Sequence, residues 1–573
     1  MFIALPHPLI PNSWKQHCYI LWYDLASDPK QRCRTWLGWV CDKGDGEAML
    51  DPSLKAMIEA QAERLGRLSA ELFENHTLLV ASNRGPVEYR ATDKGIEGQR
   101  GAGGLVTAVS AINRYVSPRW VAAAMTEGDR QMANAAGGVA IHWENEHSQF
   151  DLRYITPDPA TYNAYYNTIS NPLLWFLQHY MWDAPRTPVI NKQVWQAWDC
   201  YREVNAMFAA MLHEEAERAP NAPIVMLHDY HLYFVPQMLR ERGMPAGSCV
   251  TFFLHIPWPG PDYWALLPHP MRREILLSLC QCDILGFQTK RFMLNFLHTC
   301  LAYLPEANID YDGERVTLDG HTVLLKAYPI SIDVAGLLDL ATSDDVRSFR
   351  QRLRTYTSDQ TIVRIDRVEP SKNIVRGFQA YEHLLEAHPE YRGRVKFVAI
   401  LVPSRLGVEE YKRYLEEIMV VAGWINTRYG NEEWQPVELV VGENYSRAIA
   451  AMQLYDVLMV NPIIDGMNLV AKEGVTVNEK SGVLILSEGA GVAEQLSDQA
   501  LIISPSDIVG TMEALRTALE MPITERHARA TALRELVARE DLSMWLAYQF
   551  HDIRQLLAGL HPSRLPTIEL AYE

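Results

Sequence analysis

Cysteine is scarce in this chain and badly placed for any cysteine-based framework. The eight Cys lie at 18, 33, 41, 200, 249, 280, 282 and 300; no two form a CxxC pair, and none follows Cys300. That excludes a zinc framework or a disulfide scaffold and makes a reducing cytoplasm the expected compartment. Positive charge is in deficit too, with 53 Lys and Arg against 70 Asp and Glu and a net charge of −17. Such a balance argues against nucleic acid or an anionic membrane surface as the main partner. An anionic substrate would have to be gripped by a local group of cations working against the overall field. Long apolar runs are missing as well: none approaches the roughly 18–20 residues that span a bilayer. The opening Met1-Phe2-Ile3-Ala4-Leu5-Pro6 has no basic segment and is interrupted by Pro6, Pro8 and Pro11, so no signal peptide is expected.

What remains is a large soluble α/β pattern. At 573 residues the chain is too long for one core, and its 48% hydrophobic and 21% charged content is that of a globular protein. Residues 1–50 carry Trp14, Trp22, Trp36 and Trp39 with little periodicity, and no functional reading follows from them. Met57, Ala62, Leu65, Leu68 and Leu72 then fall at helical spacing, predicting an amphipathic helix over 54–74 that packs on a neighbour. Apolar runs at Thr77–Ala81, Ile224–Leu227, Val250–Leu254, Ile284–Phe287 and Leu324–Ile330 predict buried strands of a first parallel sheet. Thr361–Ile365, Val395–Val402, Val437–Val441, Asp456–Val460, Val483–Leu486 and Leu501–Ile503 predict a second. A last helix is expected around Leu542–Leu557.

Chemistry-bearing residues gather where these strands end, which is where open α/β sheets place ligands. The run Val460-Asn461-Pro462-Ile463-Ile464-Asp465-Gly466-Met467-Asn468 reads as a strand, a tight turn and a helix start, an arrangement that offers N–H groups to an anion. Asp465 on that turn suits a hydroxylated ligand, and Glu473 lies about one helical turn further in. An ordinary strand–loop–helix crossover has the same pattern. Two strands end in histidine, at His228-Asp229-Tyr230-His231 and at His255-Ile256-Pro257; a lone histidine is more often structural, and the repetition favours a site. Arg367 and Lys372 follow another strand as a compact cationic pair, suited to a diphosphate or else simply solvated. Gly101-Ala102-Gly103-Gly104-Leu105 opens a helix after a polar segment but matches neither GxGxxG nor the P-loop pattern. The aromatic stretch 160–183 reads as a core helix whose rings could also face a sugar.

Taken together, these motifs resemble the trehalose-6-phosphate synthase family, related to validoxylamine-phosphate and glucosylglycerol-phosphate synthases, from about Thr77 to about Leu557. The match rests on Ser82-Asn83-Arg84, Gly103-Gly104-Leu105, Tyr166-Asn167 with Trp175 following, the two histidine strand ends, Asp366-Arg367-x-x-x-Ser371-Lys372, Ser404-Arg405, and the ungapped Asp465-Gly466-Met467-Asn468-Leu469-Val470-Ala471-Lys472-Glu473. The resemblance implies a GT-B fold, two Rossmann-like parallel-sheet domains facing across a cleft. By it, 1–75 is an extension, 76–332 the acceptor domain completed by a returning helix at 541–560, and 333–540 the nucleotide-sugar domain. It also implies the residue roles. Gly104, Arg367, Lys372, Asp465, Gly466, Met467, Asn468, Leu469, Val470 and Glu473 would bind the donor. Arg84, Tyr166, Trp175, Asp229 and Arg405 would bind the acceptor, with His255 beside the reacting sugar.

The implied reaction moves glucose, with retention, from a nucleotide-diphosphate glucose such as UDP-glucose to glucose 6-phosphate, forming trehalose 6-phosphate. Arg367, Lys372, His255 and Asp465 would carry the catalysis, with no cofactor and no metal, because cationic side chains supply the charge a divalent ion often provides. Departures bear on the acceptor. The family's Gly-Trp-Ser-Gly is Ala122 to Gly128 here, the Arg before the donor Asp is Ile464, and the Asp-Tyr between Arg and Lys is Glu369-Pro370. A cyclitol or glycerol phosphate acceptor, or a catalytically silent regulatory subunit, is the alternative. The donor base, UDP, GDP or ADP, and a homo-oligomeric state stay open.

Overall fold

The computed structural model describes residues 52–92, 95–100, 111–145, 148–405 and 407–560. The expectations for 1–50 and for the glycine run that contains Gly104 lie outside the described residues. Among the described residues twelve strands precede residue 330. They are β1 (His76–Ala81), β2 (Val87–Thr92), β3 (Gly95–Arg100), β4 (Arg119–Ala123), β5 (Ile141–Asn145), β6 (Ser148–Ile155), β7 (Ala222–His228), β8 (Cys249–Leu254), β9 (Ile284–Phe287), β10 (Asn308–Asp310), β11 (Arg315–Leu318) and β12 (His321–Ala327). Ten of them form one sheet in the order β10-β11-β12-β9-β8-β7-β1-β4-β6-β5. Its middle, from β12 to β6, is parallel. Antiparallel pairs finish both edges.

A second, wholly parallel sheet follows: β13 (Gln360–Arg367), β14 (Val395–Val402), β15 (Val437–Val441), β16 (Val457–Val460), β17 (Val483–Ser487) and β18 (Leu501–Ile503), in the order β15-β14-β13-β16-β17-β18. The continuous apolar runs are explained by this architecture. Every residue of β8, β9, β16 and β17 is buried, because crossover helices cover both faces of a parallel sheet. No helix among the described residues is long and apolar enough to cross a membrane.

One expectation is corrected. The strand predicted over Leu324–Ile330 is His321–Ala327; Pro329 has no N–H for the ladder, so pairing stops before it. The polar segment between Arg84 and the glycine run contains the hairpin β2–β3, whose Tyr89 ring meets Trp143 edge-on at 6.1 Å. The last helix, Leu542–Leu557, lies against the first sheet and the first described helix. Trp545 meets Phe253 of β8 at 5.3 Å, Phe550 meets Phe73 at 5.2 Å, and the Tyr328 hydroxyl donates to Asp552 at 2.7 Å.

The C-terminal ends of the two sheets meet. A Cβ on Gly466, just after β16, would collide with the carbonyl of His255, just after β8, so only glycine allows this approach. Nearby, the backbone N–H groups of Lys290 and Arg291 donate to the Glu494 carboxylate at 3.2 and 3.3 Å.

Candidate active site

The loop after β13 is built around a buried arginine. Arg364 is fully buried; it donates to Asp366 at 2.7 Å and to the Lys372 and Ile374 carbonyls at 3.0 and 3.3 Å. These bonds hold the short helical turn Pro370–Lys372, which closes at Asn373 with φ of 57°. The turn is welded to the loop after β16: Ile463 N–H donates to the Ser371 carbonyl at 2.8 Å, and Asn373 Nδ2 to the Asn461 carbonyl at 3.0 Å. Lys372 Nζ thereby reaches Asp465 Oδ2 at 2.6 Å. Asn468, at φ of 85°, donates to the same oxygen at 3.0 Å while its own amide oxygen caps Ala471 N–H, starting the helix Leu469–Val477. A short polar residue is what this backbone tolerates. Half-buried Glu473, on that helix, accepts from the Tyr445 hydroxyl at 2.9 Å.

The facing wall starts with an unusual helix. Tyr165–Trp175 is π-helical with Pro172 inside it. An α-helix makes roughly 3.6 residues per turn and would put Tyr166 and Trp175, nine apart, on opposite faces. The wider π turn brings both to one side. Tyr166 stacks on His231 at 5.8 Å, and Trp175 meets the adjacent Tyr230 at 5.7 Å. Trp175 also stacks on His179 at 3.8 Å. The Arg405 guanidinium lies over Trp175 at 4.1 Å, and Arg367 lies 5.8 Å from the same ring. One carboxylate joins these two arginines: on a single oxygen Glu369, fully buried, accepts from Arg405 at 3.1 Å and Ser404 at 3.3 Å and forms an ion pair with Arg367 at 2.8 Å. Its other oxygen, Trp175 Nε1 and His231 Nε2 are buried with no protein partner among the described residues. A polar atom left so costs about 1–3 kcal/mol, and a hydroxylated ligand would supply partners.

Asp229 follows β7 at φ of 76° and accepts from the His255 N–H at 3.3 Å; His255 and His228 share a ring contact of 3.3 Å. Burial pushes the Asp229 carboxyl up to about 7, opposed by backbone N–H groups and by Arg405 and Arg367. Burial also lowers His228 and His231 to about 3, His179 to about 4 and His255 well below the usual imidazole range, so these rings are neutral near pH 7. On the other wall burial works against charge too, yet Lys372 is held above its ordinary value by Asp465, Glu369 and Asp366. Asp465 is held below its own by Lys372, with a hydrogen bond from Asn468 adding to it. Burial raises Glu473.

The family model of Glycosyltransferase family 20 matches residues 76–555. The chain belongs to glycosyltransferase family 20. Trehalose-6-phosphate synthase of Cronobacter sakazakii is 34% identical over 438 residues, 74% of this chain and 89% of that one. The UDP-forming alpha,alpha-trehalose-phosphate synthase 2 of Aspergillus fumigatus is 30% identical over 478 residues, covering 82% and 95%. Two solved structures share the fold. One, from E. coli and bound with UDP-2-fluoro glucose, has 29% identity and a TM-score of 0.71, covering 84% of this chain and 99% of that one. The other, an alpha,alpha-trehalose-phosphate synthase from Burkholderia xenovorans in complex with glucose-6-phosphate, has 28% identity and a TM-score of 0.70, covering 83% and 100%. This family 20 chain is therefore a GT-B glycosyltransferase.

Of the residues singled out from the sequence, Arg367, Lys372, Asp465, Trp175, Arg405, Tyr166, Asp229 and His255 line the junction of the two sheets. Gly466 lies there as backbone. Met467 is buried in the core, Leu469 and Val470 form the first turn of their helix, and Glu473 sits at its side beside Tyr445. Arg84 is half exposed, 3.9 Å from Glu88, and its charge adds to the lowering of His231. Sequence reasoning missed the roles of Glu369, Arg364 and Tyr445. A signal for the loops is backbone strain: of the eight non-glycine residues with positive φ among the described residues, Asp229, Asn373, Arg405 and Asn468 all lie here.

Proposed function

We propose that this glycosyltransferase moves glucose from UDP-glucose to glucose 6-phosphate, with retention, yielding trehalose 6-phosphate and UDP. The observation that carries the reading is the single charged wall, where Lys372–Asp465 and Arg367–Glu369–Arg405 set cations beside an aromatic and hydroxyl-binding face. The UDP-forming relatives and the solved structures bound with UDP-2-fluoro glucose and glucose-6-phosphate support it. In this reading Arg367 and Lys372 hold the donor diphosphate together with N–H groups of the helix start at Leu469 and Val470. Asp465 takes sugar hydroxyls and Glu473 the ribose. Arg405, Arg84, Tyr166 and Trp175 hold the acceptor phosphate, and Asp229 an acceptor hydroxyl.

The bond from the anomeric carbon to the leaving phosphate oxygen breaks while the acceptor oxygen bonds to that carbon on the same face. The acceptor proton passes to the leaving phosphate. Neutral His255 beside this centre offers hydrogen bonding without adding a charge. The protein's work is orientation and stabilisation of the negative charge that grows on the diphosphate. The division into 76–332 and 333–540, with 541–560 returning to the first, belongs to the same proposal. So does a cytoplasmic location, supported by the free thiols of Cys200, Cys249, Cys280, Cys282 and Cys300.

A donor-by-acceptor matrix tests the reading. UDP-, GDP- and ADP-glucose are each offered with glucose 6-phosphate, a cyclitol phosphate and glycerol phosphate, reading nucleotide release and product mass. The highest kcat/KM is expected for UDP-glucose with glucose 6-phosphate, and to survive a chelator. A faster reaction with another acceptor, or no turnover at all, would reject it.

A further inference from the structure

The donor loop is tied to the first sheet at two points, one through backbone and one through a side chain, and a second side chain joins those points. Gly466 presses its backbone on the His255 carbonyl. Six residues on, Lys472 is 1% exposed and donates from Nζ to the Ile330 carbonyl at 2.9 Å. Ile330 lies on the segment that leaves β12 for the helix Val334–Ala341. Two residues further, the Ile332 carbonyl accepts from Leu542 N–H at 3.0 Å, where the last helix begins. Gln288, 2% exposed at the end of β9, closes the circuit. Its Oε1 accepts from Ile330 N–H at 3.0 Å, and its Nε2 donates to the His255 carbonyl at 3.4 Å. The path therefore runs Lys472, Ile330, Gln288, His255, Gly466 and back along the donor loop to Lys472.

We propose that Lys472 and Gln288 are positioning residues that strap the Asp465–Glu473 segment to the strand end bearing His255, and so set the separation of the two walls of the reactive cleft. The inference rests on the transferase reading for its catalytic consequence, though the strap itself does not. A buried lysine is an expensive way to fill space, because an ammonium is poorly solvated in the interior. An apolar side chain would pack there at lower cost, whereas only a donor makes the directional bond to Ile330. The electrostatics agree: burial lowers Lys472 to about 7, with Glu540 pulling it back up. Neither side chain is assigned to a substrate; Gln288 acts through the His255 carbonyl, and Lys472 through the donor segment it ties to Ile330.

The test uses the full chain with Lys472→Met, Gln288→Met, the double variant and Lys472→Gln. Hydrogen exchange of the 466–473 amides is read without substrates. Then kcat is read with UDP-glucose and glucose 6-phosphate, and UDP affinity by calorimetry. Each Met variant is expected to exchange about tenfold faster across 466–473 and to lose about tenfold in kcat, since small misplacements near the chemistry are costly. UDP affinity should change by less than about threefold, which a general loss of folding would not produce. The double variant should be little worse than either single one, because both break one circuit. Lys472→Gln, which keeps a donor for Ile330, should recover part of the protection. Unchanged exchange, additive losses, or identical behaviour of Met and Gln at 472 would each overturn the strap. A parent without turnover would reject the transferase reading, while the exchange comparison would still decide the strap.

Discussion

Asp229 and Asp465 make a controlled pair within one molecule. Each is an aspartate on the loop after a parallel strand, β7 in one sheet and β16 in the other, and each faces the junction between them. Their electrostatics are opposite. Asp229 is pushed up to about 7 by burial, with only backbone N–H groups and more distant guanidinium groups to resist it. Asp465 is equally subject to burial, but Lys372 at 2.6 Å holds it below the usual carboxylate range. The same contrast extends along each wall. The wall of the second sheet carries charge in matched sets, Lys372 with Asp465 and Arg367 and Arg405 with Glu369. Around Asp229 the wall of the first carries neutral rings, with His228, His231 and His255 all discharged by burial, and its cation Arg84 sits half exposed to one side. The lesson is a division of labour: one wall supplies countercharge for phosphate, and the other supplies a dry, neutral face in which that countercharge acts at low dielectric.

The hardest way to break the contrast is to remove the cations. Lys372→Ala and Arg367→Ala are each expected to lower kcat by about 10²–10³, the usual cost of losing a donor to developing charge. Steady-state kinetics with melts on the same samples checks this. A drop in Tm with kcat intact in the folded fraction would make the pair structural. Lys372→Met should also leave Asp465 as an unpaired buried acid, whereas Lys372→Met with Asp465→Asn should regain stability without regaining rate.

Next in size is the acceptor grip. Arg405→Ala should weaken glucose 6-phosphate binding by about 1.5–3 kcal/mol, because it removes a charged donor stacked on Trp175 and leaves UDP contacts alone. Arg84→Ala should cost less, since that side chain is 40% exposed. Calorimetric titrations with UDP and with glucose 6-phosphate separate the halves. Loss of UDP affinity in either variant would mean that donor and acceptor sides have been exchanged.

The contrast was only partly visible in the sequence. Strand ends were legible because a strand in a two-faced parallel sheet is a continuous apolar run, so β8, β14 and β16 announce where their loops begin. Arg367 and Lys372 stood out as cations on such a loop. Asp465 stood out on its own turn, but its pairing with Lys372 did not, because pairing is set by tertiary approach and the two lie 93 residues apart. Glu369 looked like a departure from a family pattern, and only the fold shows it shared between two arginines. Tyr166 and Trp175 sit nine apart, which periodicity at 3.6 reads as opposite faces; the π-helix that unites them has no signature in hydrophobic spacing. Arg364 was hidden inside an apolar strand, where a charge reads as a surface position.

The finest test of the two aspartates is the pH dependence of stability. Asp229 in the folded chain keeps its proton up to about 7, while the unfolded chain loses it near the ordinary aspartate value of 3.8. Between about 4 and 7 the native state therefore binds more protons at this site than the unfolded one. Its contribution to stability falls as pH rises through that window, by at most about 1.4 kcal/mol per pH unit. Asp465 works the other way: its stabilisation is present above the ordinary value and is lost as pH falls through its depressed one. Other buried acids titrate in the same range, Asp541 among them, so the informative quantity is the difference between parent and variant. Denaturant unfolding of parent, Asp229→Asn and Asp465→Asn from pH 3 to pH 8 is expected to give differences of opposite slope. Relative to the parent, Asp229→Asn should gain stability as pH rises toward about 7 and then level off. Asp465→Asn should lose its disadvantage as pH falls below the ordinary carboxylate range. Equal slopes for the two variants would mean that the walls differ in residue type alone and that the Lys372 contact does not set the ionisation of Asp465.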